Sequence, residues 1–173
     1  MTQTQTDPSS QVPDGVGADA TALVTRVARA ARAAQRPLAA ATTELKDRAL
    51  AAMARTLRDR APDVLAANAA DVERARAAGM REGLVDRLAL SATRLEAVAG
   101  ALEELTTLPD PVGQVVDGRR LPNGLEVRRV RVPLGVVGMV YEARPNVTAD
   151  VAGLAVRSGN AVVLRGGSAA RDS

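Results

Sequence analysis

With 173 residues, 46% of them hydrophobic and 25% charged, the chain has the balance of an ordinary soluble domain, enough to build a core and too apolar for wholesale disorder. Cysteine and histidine are both absent, which excludes disulfides, Cys-based metal sites and, within these residues, any thiolate nucleophile or imidazole base. The polar chemistry that remains belongs to Asp, Glu, Arg, Lys46 and Tyr141, and no metal site is expected. A net charge of +3 and the cluster Arg119, Arg120, Arg128, Arg129 and Arg131 raise a nucleic-acid partner. The lack of Phe and Trp removes the stacking platforms such a partner needs, so none is expected. No apolar run approaches the ~20 residues that span a bilayer, so no membrane partner is expected either.

Residues 1–18 are rich in Pro, Gly, Ser and Gln and read as a disordered lead. They lack the basic start and apolar stretch of a secretory signal, which makes cytoplasmic residence the expectation. From Ala18 to Arg36, apolar Ala22, Leu23, Val27, Ala30, Ala31 and Ala34 recur at helical spacing until Pro37 breaks the run. Thr42 or Thr43 caps a second helix with Leu45, Ala49, Ala52, Met53, Thr56 and Leu57 on one face, yielding at Pro62. One or two helices follow to Ala78 with Val64, Leu65, Val72 and Ala75 inward, and Gly79 suits a left-handed C-cap. A short helix covers Arg81 to Leu88. Ser91 then caps a helix from Ala92 to Leu105 whose Leu95, Val98, Ala99, Leu102 and Leu105 form a stripe.

After Pro109 and Pro111 the period shortens to two. Val112 to Val116 and Leu125 to Val132 read as a hairpin, separated by Asp117, Gly118, Pro122, Asn123 and Gly124, with its arginines outward as edge protection. Leu134, Val136, Val137, Met139 and Val140 then run nearly uninterrupted, as a strand buried on both faces does. Asn146 or Thr148 caps a helix ending at Ser158, Gly159 and Asn160, and Ala161 to Leu164 forms a second buried strand. This is a βαβ unit with parallel strands. Two buried-type strands alone leave apolar surface uncovered, so the pattern reads as an α/β domain cut short.

In open α/β folds ligands gather at the carboxyl ends of the strands, which selects Tyr141 to Thr148 and Arg165 to Ser168. Arg165 beside Gly166, Gly167 and Ser168 joins a fixed positive charge to unshielded amides, suited to a phosphate, though a plain turn has the same residues. Glu142, Arg144 and Asn146 crowd an acid, a base and an amide around Pro145. The Asn146 amide is a candidate oxyanion donor or an N-cap, and one position can serve both. Tyr141 reads as a packing residue with a satisfied hydroxyl.

The segments VPLGVVGMVYEARPNVTAD (132–150) and SGNAVVLRGGS (158–168) resemble gamma-glutamyl phosphate reductase, also called glutamate-5-semialdehyde dehydrogenase. The resemblance extends to NAADVERARAAG (68–79), LVDRLALSATRLEAVA (84–99) and DPVGQVVDG (110–118), and so covers nearly everything from about residue 20 onward. It implies an α/β, aldehyde dehydrogenase-like fold: N-terminal helices, a β-hairpin extension used for oligomerisation, and the start of a Rossmann-type parallel sheet. Residues 19–173 would be the N-terminal part of the NADPH-binding domain, with helices over 19–108, the hairpin over 112–132 and a first βαβ unit over 133–168. The catalytic domain would lie outside this chain.

The implied reaction is the NADPH-dependent reduction of gamma-glutamyl phosphate to glutamate 5-semialdehyde and phosphate in proline biosynthesis, by a cysteine that attacks the acyl phosphate. By the same resemblance Arg165, Gly166, Gly167 and Ser168 contact the cofactor. Arg165 and the lack of an acid at Ser168 suit the 2′-phosphate of NADPH. Asn146 matches an oxyanion-stabilising Asn, in a loop two residues longer than usual, and Arg144 is the candidate contact to an anionic substrate. A homo-oligomer is implied for the full-length enzyme, with glutamate 5-kinase as pathway partner. Without its cysteine the chain is expected to be inactive. Competing readings are a non-catalytic assembly or regulatory module and a fragment of a CoA-acylating aldehyde dehydrogenase.

Overall fold

The structure is a computed structural model that describes residues 17–173, so nearly all of the expected 1–18 lead lies outside the described residues. Helical periodicity in the first hundred residues is realised as α1 (Ala18–Ala39), α2 (Thr43–Asp59), α3 (Ala61–Ala77), α4 (Glu82–Leu88) and α5 (Ala92–Thr107). Thr42 caps α2 by accepting the Leu45 N–H at 3.3 Å, and Ser91 caps α5 by accepting that of Arg94 at 3.1 Å. At the end of α3, Gly79 takes φ 74°, the Met80 N–H reaches the Ala75 carbonyl and the Gly79 N–H that of Arg76. This paired closure is the Schellman geometry expected of that glycine.

Three helix expectations are corrected. Pro37 does not end α1 but sits in its last turn, where a proline forfeits one N–H. The turn still closes, through the Ala40 N–H to the Arg36 carbonyl, and α1 packs against the strands described below. The first half of α1 is exposed, Leu23 and Val27 included, so its apolar spacing does not mark a buried face among the described residues. In α2 the buried line is Lys46, Leu50 and Ala54, one step round from the expected face, and Leu45 is half exposed.

Two cores result. In the first, Leu50 and Ala54 of α2 meet Ala99 and Leu102 of α5, with Met53, Leu57 and Leu105 at the edge. In the second, Val72 and Ala75 of α3 meet Val85 and Leu88 of α4. Each fully buried Leu or Val contributes roughly 1.5–3 kcal/mol. Lys46, 1% exposed, is neutralised by Asp110 at 2.8 Å, which ties α2 to the segment after α5. Burial alone would raise the Asp110 carboxyl. The Lys46 hydrogen bond and charge, with the Val112 N–H and the Thr43 hydroxyl, outweigh it and hold the group below the usual carboxylate range.

The hairpin is β1 (Val115–Arg120) and β2 (Glu126–Val130), antiparallel, with an irregularity between Val115 and Asp117. It starts later than expected and places Asp117 and Gly118 inside the first strand. Pro111 to Gly113 form a turn, with Gly113 at φ 83°, which delays the extended backbone. Pairing begins there nonetheless, since the Gly113 N–H reaches the Arg131 carbonyl and the Arg131 N–H that of Gln114. The loop Leu121–Leu125 closes on Gly124 at φ 88°, as the Asn-Gly pair predicts. Every residue of β1 and β2 is exposed, on both faces.

The β3 (Val136–Val140), α6 (Asn146–Arg157), β4 (Ala161–Arg165) segment is the expected parallel βαβ unit, pairing Val136 with Ala161 through to Val140 with Arg165. α6 lays Ala149 and Val156 on the first core. Its end is a second Schellman closure, with Gly159 at φ 69° and the Asn160 N–H on the Ala155 carbonyl. Buried Asn160 then accepts the Gly135 N–H at 2.8 Å and fixes the start of β3. The expectation that β3 is buried on both faces is corrected: Val140 is 71% exposed, because only β4 pairs with it among the described residues. Beyond β4 the chain turns over Ser168–Ala170 and packs Ala169 and Ala170 on the second core.

Candidate functional site

Parallel pairing brings the carboxyl ends of β3 and β4 side by side, and the Tyr141 N–H donates to the Arg165 carbonyl at 3.1 Å. The two loops singled out in the sequence therefore leave the sheet together. A Cβ on Gly166 would stand 3.5 Å from the Tyr141 hydroxyl, and one on Gly167 would stand 3.3 Å from the Glu142 Cα. The Arg-Gly-Gly turn thus passes close against the neighbouring loop. The Tyr141 hydroxyl makes a short hydrogen bond with Thr148 Oγ1, which satisfies it as a packing residue. Ala143 has φ 44°, the one positive value on a non-glycine among the described residues, at a cost of about 1–2 kcal/mol. That bend precedes an exposed Arg144 and a buried Pro145.

The expected capping role of Asn146 or Thr148 is corrected. Pro145 occupies the N-cap position of α6, no side chain caps it, and Thr148 is engaged by Tyr141. Asn146 is the first helical residue, and its amide Nδ2 donates at 2.9 Å to Asp150 Oδ2, one turn further on. The amide is thereby oriented by a side chain instead of by the helix end.

Arg144 and Asn146 line one cleft of about 470 Å³, between α5, the α4–α5 connection and the start of α6. Its other polar walls are Asp86, Arg87, Arg94 and Asp150. Arg94 is committed within the wall: it donates to the Asp86 carbonyl at 2.5 Å, the Ala89 carbonyl at 2.9 Å and Asp86 Oδ1 at 2.9 Å. Arg165, Gly166, Gly167 and Ser168 do not line this cleft. They form a second locus at the same sheet edge, where the Gly166 and Gly167 amides donate to no described residue and Arg165 is exposed. The structure thus groups the sequence candidates in two places, one for the residues before α6 and one for those after β4.

Sequence reasoning missed Asp150 and Asp71. Asp150 lay inside the quoted motif, and its four-residue spacing from Asn146 was the available signal. Buried Asp71 of α3 accepts from the Asp172 N–H at 3.2 Å, the Ser173 N–H at 2.9 Å and the Ser173 hydroxyl at 2.7 Å. Asn68 beside it donates to the Leu88 carbonyl and accepts the Leu90 N–H. These partners lie far along the chain, and no local pattern announces them. No helix among the described residues is long and apolar enough to cross a membrane.

No protein-family model matches the chain. The gamma-glutamyl phosphate reductase of Thermobifida fusca (strain YX) is 53% identical over 150 residues, covering 87% of this chain and 36% of that protein. Among solved structures, the gamma-glutamyl phosphate reductase of Thermotoga maritima matches with TM-score 0.82 and 44% identity, over 86% of this chain and 36% of its own. That of Saccharomyces cerevisiae matches with TM-score 0.82 and 30% identity, over 85% and 38%. The chain spans little more than a third of these relatives. Over most of its own length, then, this chain matches gamma-glutamyl phosphate reductases and covers a fragment of each of them.

Proposed function

We propose that the chain is the cofactor-side part of an NADPH-dependent reductase that converts gamma-glutamyl phosphate to glutamate 5-semialdehyde and phosphate in proline biosynthesis. The observation that carries the reading is the convergence of the Tyr141–Thr148 and Arg165–Ser168 loops at one strand edge, in a chain 53% identical to a protein of that name. The turn after β4 has the chemistry a dinucleotide phosphate needs: an exposed guanidinium and backbone amides with no described acceptor. Arg165 supplies charge for a 2′-phosphate, and Ser168 offers no carboxylate to repel it. The bound cofactor supplies the hydride. Asn146, whose amide is held by Asp150, is proposed to donate to an acyl oxygen, and Arg144 to meet an anionic group.

The cysteine that would attack the acyl phosphate is not in this sequence. The isolated chain is therefore proposed to bind without turning over. The exposed hairpin is proposed as the arm of a homo-oligomer, and the setting as the cytoplasm, with glutamate 5-kinase the enzyme that supplies the acyl phosphate. Fluorescence titration of the chain with NADPH and NADH tests the cofactor assignment. Tighter binding of NADPH is expected, with the preference cut about tenfold by Arg165→Gln, or about 1.4 kcal/mol. Equal affinity for both cofactors, unchanged by the substitution, would overturn it.

A further inference from the structure

The charges that line the cleft beside α5 do not balance. Its walls carry the guanidiniums of Arg87, Arg94 and Arg144 and the carboxylates of Asp86 and Asp150. Arg94 and Asp86 form a closed pair, and Arg94 also donates to the Asp86 and Ala89 carbonyls. Arg87 and Arg144 have no carboxylate within ion-pair distance among the described residues. Two cations therefore stand against one carboxylate, and Asp150 already accepts from Asn146. Arginines without a carboxylate partner also stand elsewhere on the surface, as Arg26, Arg29 and Arg32 do on exposed α1. Arg87 and Arg144 differ because α4 and the loop before α6 bring them from separate parts of the chain to one concavity of about 470 Å³, a volume typical of small-molecule sites.

We infer that this cleft receives the phosphoryl group of the acyl phosphate, with Arg87 and Arg144 as its anion-binding pair. The inference rests on the proposed reductase reading and deepens it. A phosphoryl group carries roughly 1.5–2 negative charges at pH 7 and offers three acceptor oxygens. That is enough to engage two planar guanidinium forks at once. A carboxylate brings a single charge and neutralises only one of the two. An acyl phosphate joins its carbonyl carbon to phosphorus through one oxygen, so the donor to the acyl oxygen and the donors to the phosphoryl oxygens belong in one cavity. Asn146 lines the same cleft as the two arginines, which meets that requirement. Arg87 is thereby assigned as a substrate-binding residue, in the last turn of α4 and outside both strand-end loops. The turn after β4 keeps the separate task of holding the cofactor.

The test is a titration of the chain with inorganic phosphate and with acetate, at constant ionic strength set by chloride, followed by ¹H–¹⁵N spectra. Resonances of residues 87–94 and 144–150 report the cleft, and those of residues 165–168 report the turn after β4. Phosphate is expected to shift the first set saturably, with an affinity about tenfold or more above that of acetate. Arg87→Gln and Arg144→Gln are each expected to weaken phosphate about tenfold at those resonances. Arg87→Lys, which keeps the charge and loses the fork, is expected to recover part of that loss. Both positions are exposed, so all three variants are expected to retain the wild-type circular dichroism. No saturable shift in the first set, acetate binding as tight as phosphate, or a phosphate affinity unchanged by Arg87→Gln would each overturn the inference. NADPH titration of wild type and of Arg87→Gln separates the two readings: NADPH selectivity retained alongside any of those results refutes the phosphoryl site and leaves the reductase reading standing.

Discussion

Lys46 is the single lysine of the chain and the most deeply buried of its basic side chains, because Asp110 meets it from 64 residues away. A buried pair of this kind is destabilising to break, since either partner alone is left charged in a poor solvent. The folded Asp110 carboxyl lies below its ordinary value of 3.8, so the folded state binds its proton less readily than the unfolded chain does. Its contribution is therefore fully present above that ordinary value and is lost as pH falls through the lower, folded one. Glu96 and Glu103, lowered by hydrogen bonds to Arg58, act in the same direction but are solvent-screened surface groups. Asp110→Asn is expected to reduce stability at pH 7 and to flatten the acid limb, as urea midpoints between pH 7 and 3 would reveal. At Asp71, replacement by Ala removes four hydrogen bonds to a buried carboxylate, three from residues 172 and 173 and one from Arg74. A loss of about 2–3 kcal/mol is expected in urea unfolding, with Asp71→Asn intermediate.

Lys46 also explains where the reading of single elements from sequence stops. The stripe on α5 is legible because Leu95, Ala99 and Leu102 are apolar, and apolar residues at helical spacing have one sensible destination. The buried line of α2 is not, because it contains a lysine whose partner is visible only in three dimensions. α6 misleads for a related reason: Asn146 is good capping material, yet Pro145 takes that position and leaves Asn146 a helical residue with a side-chain partner. The two Schellman turns were readable at Gly79 and at Gly159, but their surroundings were not. A Cβ on Gly79 meets nothing within 4 Å, whereas one on Gly159 would meet Pro133 Cγ at 3.1 Å and Val112 Cγ2 at 3.2 Å. Gly79→Ala is expected to cost the backbone penalty alone, about 1–2 kcal/mol. Gly159→Ala should cost about 1–3 kcal/mol more through overpacking, a contrast that thermal melts of the two variants measure directly.

For the molecule as a whole, the candidate site was half legible. The loops that carry it stand out because strand-end polar residues are confined to two short segments, and parallel pairing then places those segments together. Their division into a cleft beside α5 and a separate turn after β4 depends on helix packing, which periodicity alone does not fix. The hairpin shows a different limit: its alternation promised an inner face, yet both faces are exposed, with Val115, Val127 and Val130 among the uncovered apolar residues. An arm of this kind is the material of strand-mediated association. Replacing Val115, Val127 and Val130 with Thr is expected to shift sedimentation velocity profiles toward monomer while leaving far-UV circular dichroism unchanged. Unaltered profiles would count against the hairpin as an oligomer arm.

The fastening of residues 172 and 173 onto Asp71 joins positions 101 and 102 apart in the chain. During synthesis, at about 5–20 residues per second, α3 leaves the ribosome roughly 5–20 s before its partners exist. For that interval the Asp71 carboxylate lacks its late hydrogen bonds, and the second core lacks Ala169 and Ala170 as its cover. The α3–α4 pair is thus one nascent-chain waiting point, a stretch open to a holdase or a protease for that interval.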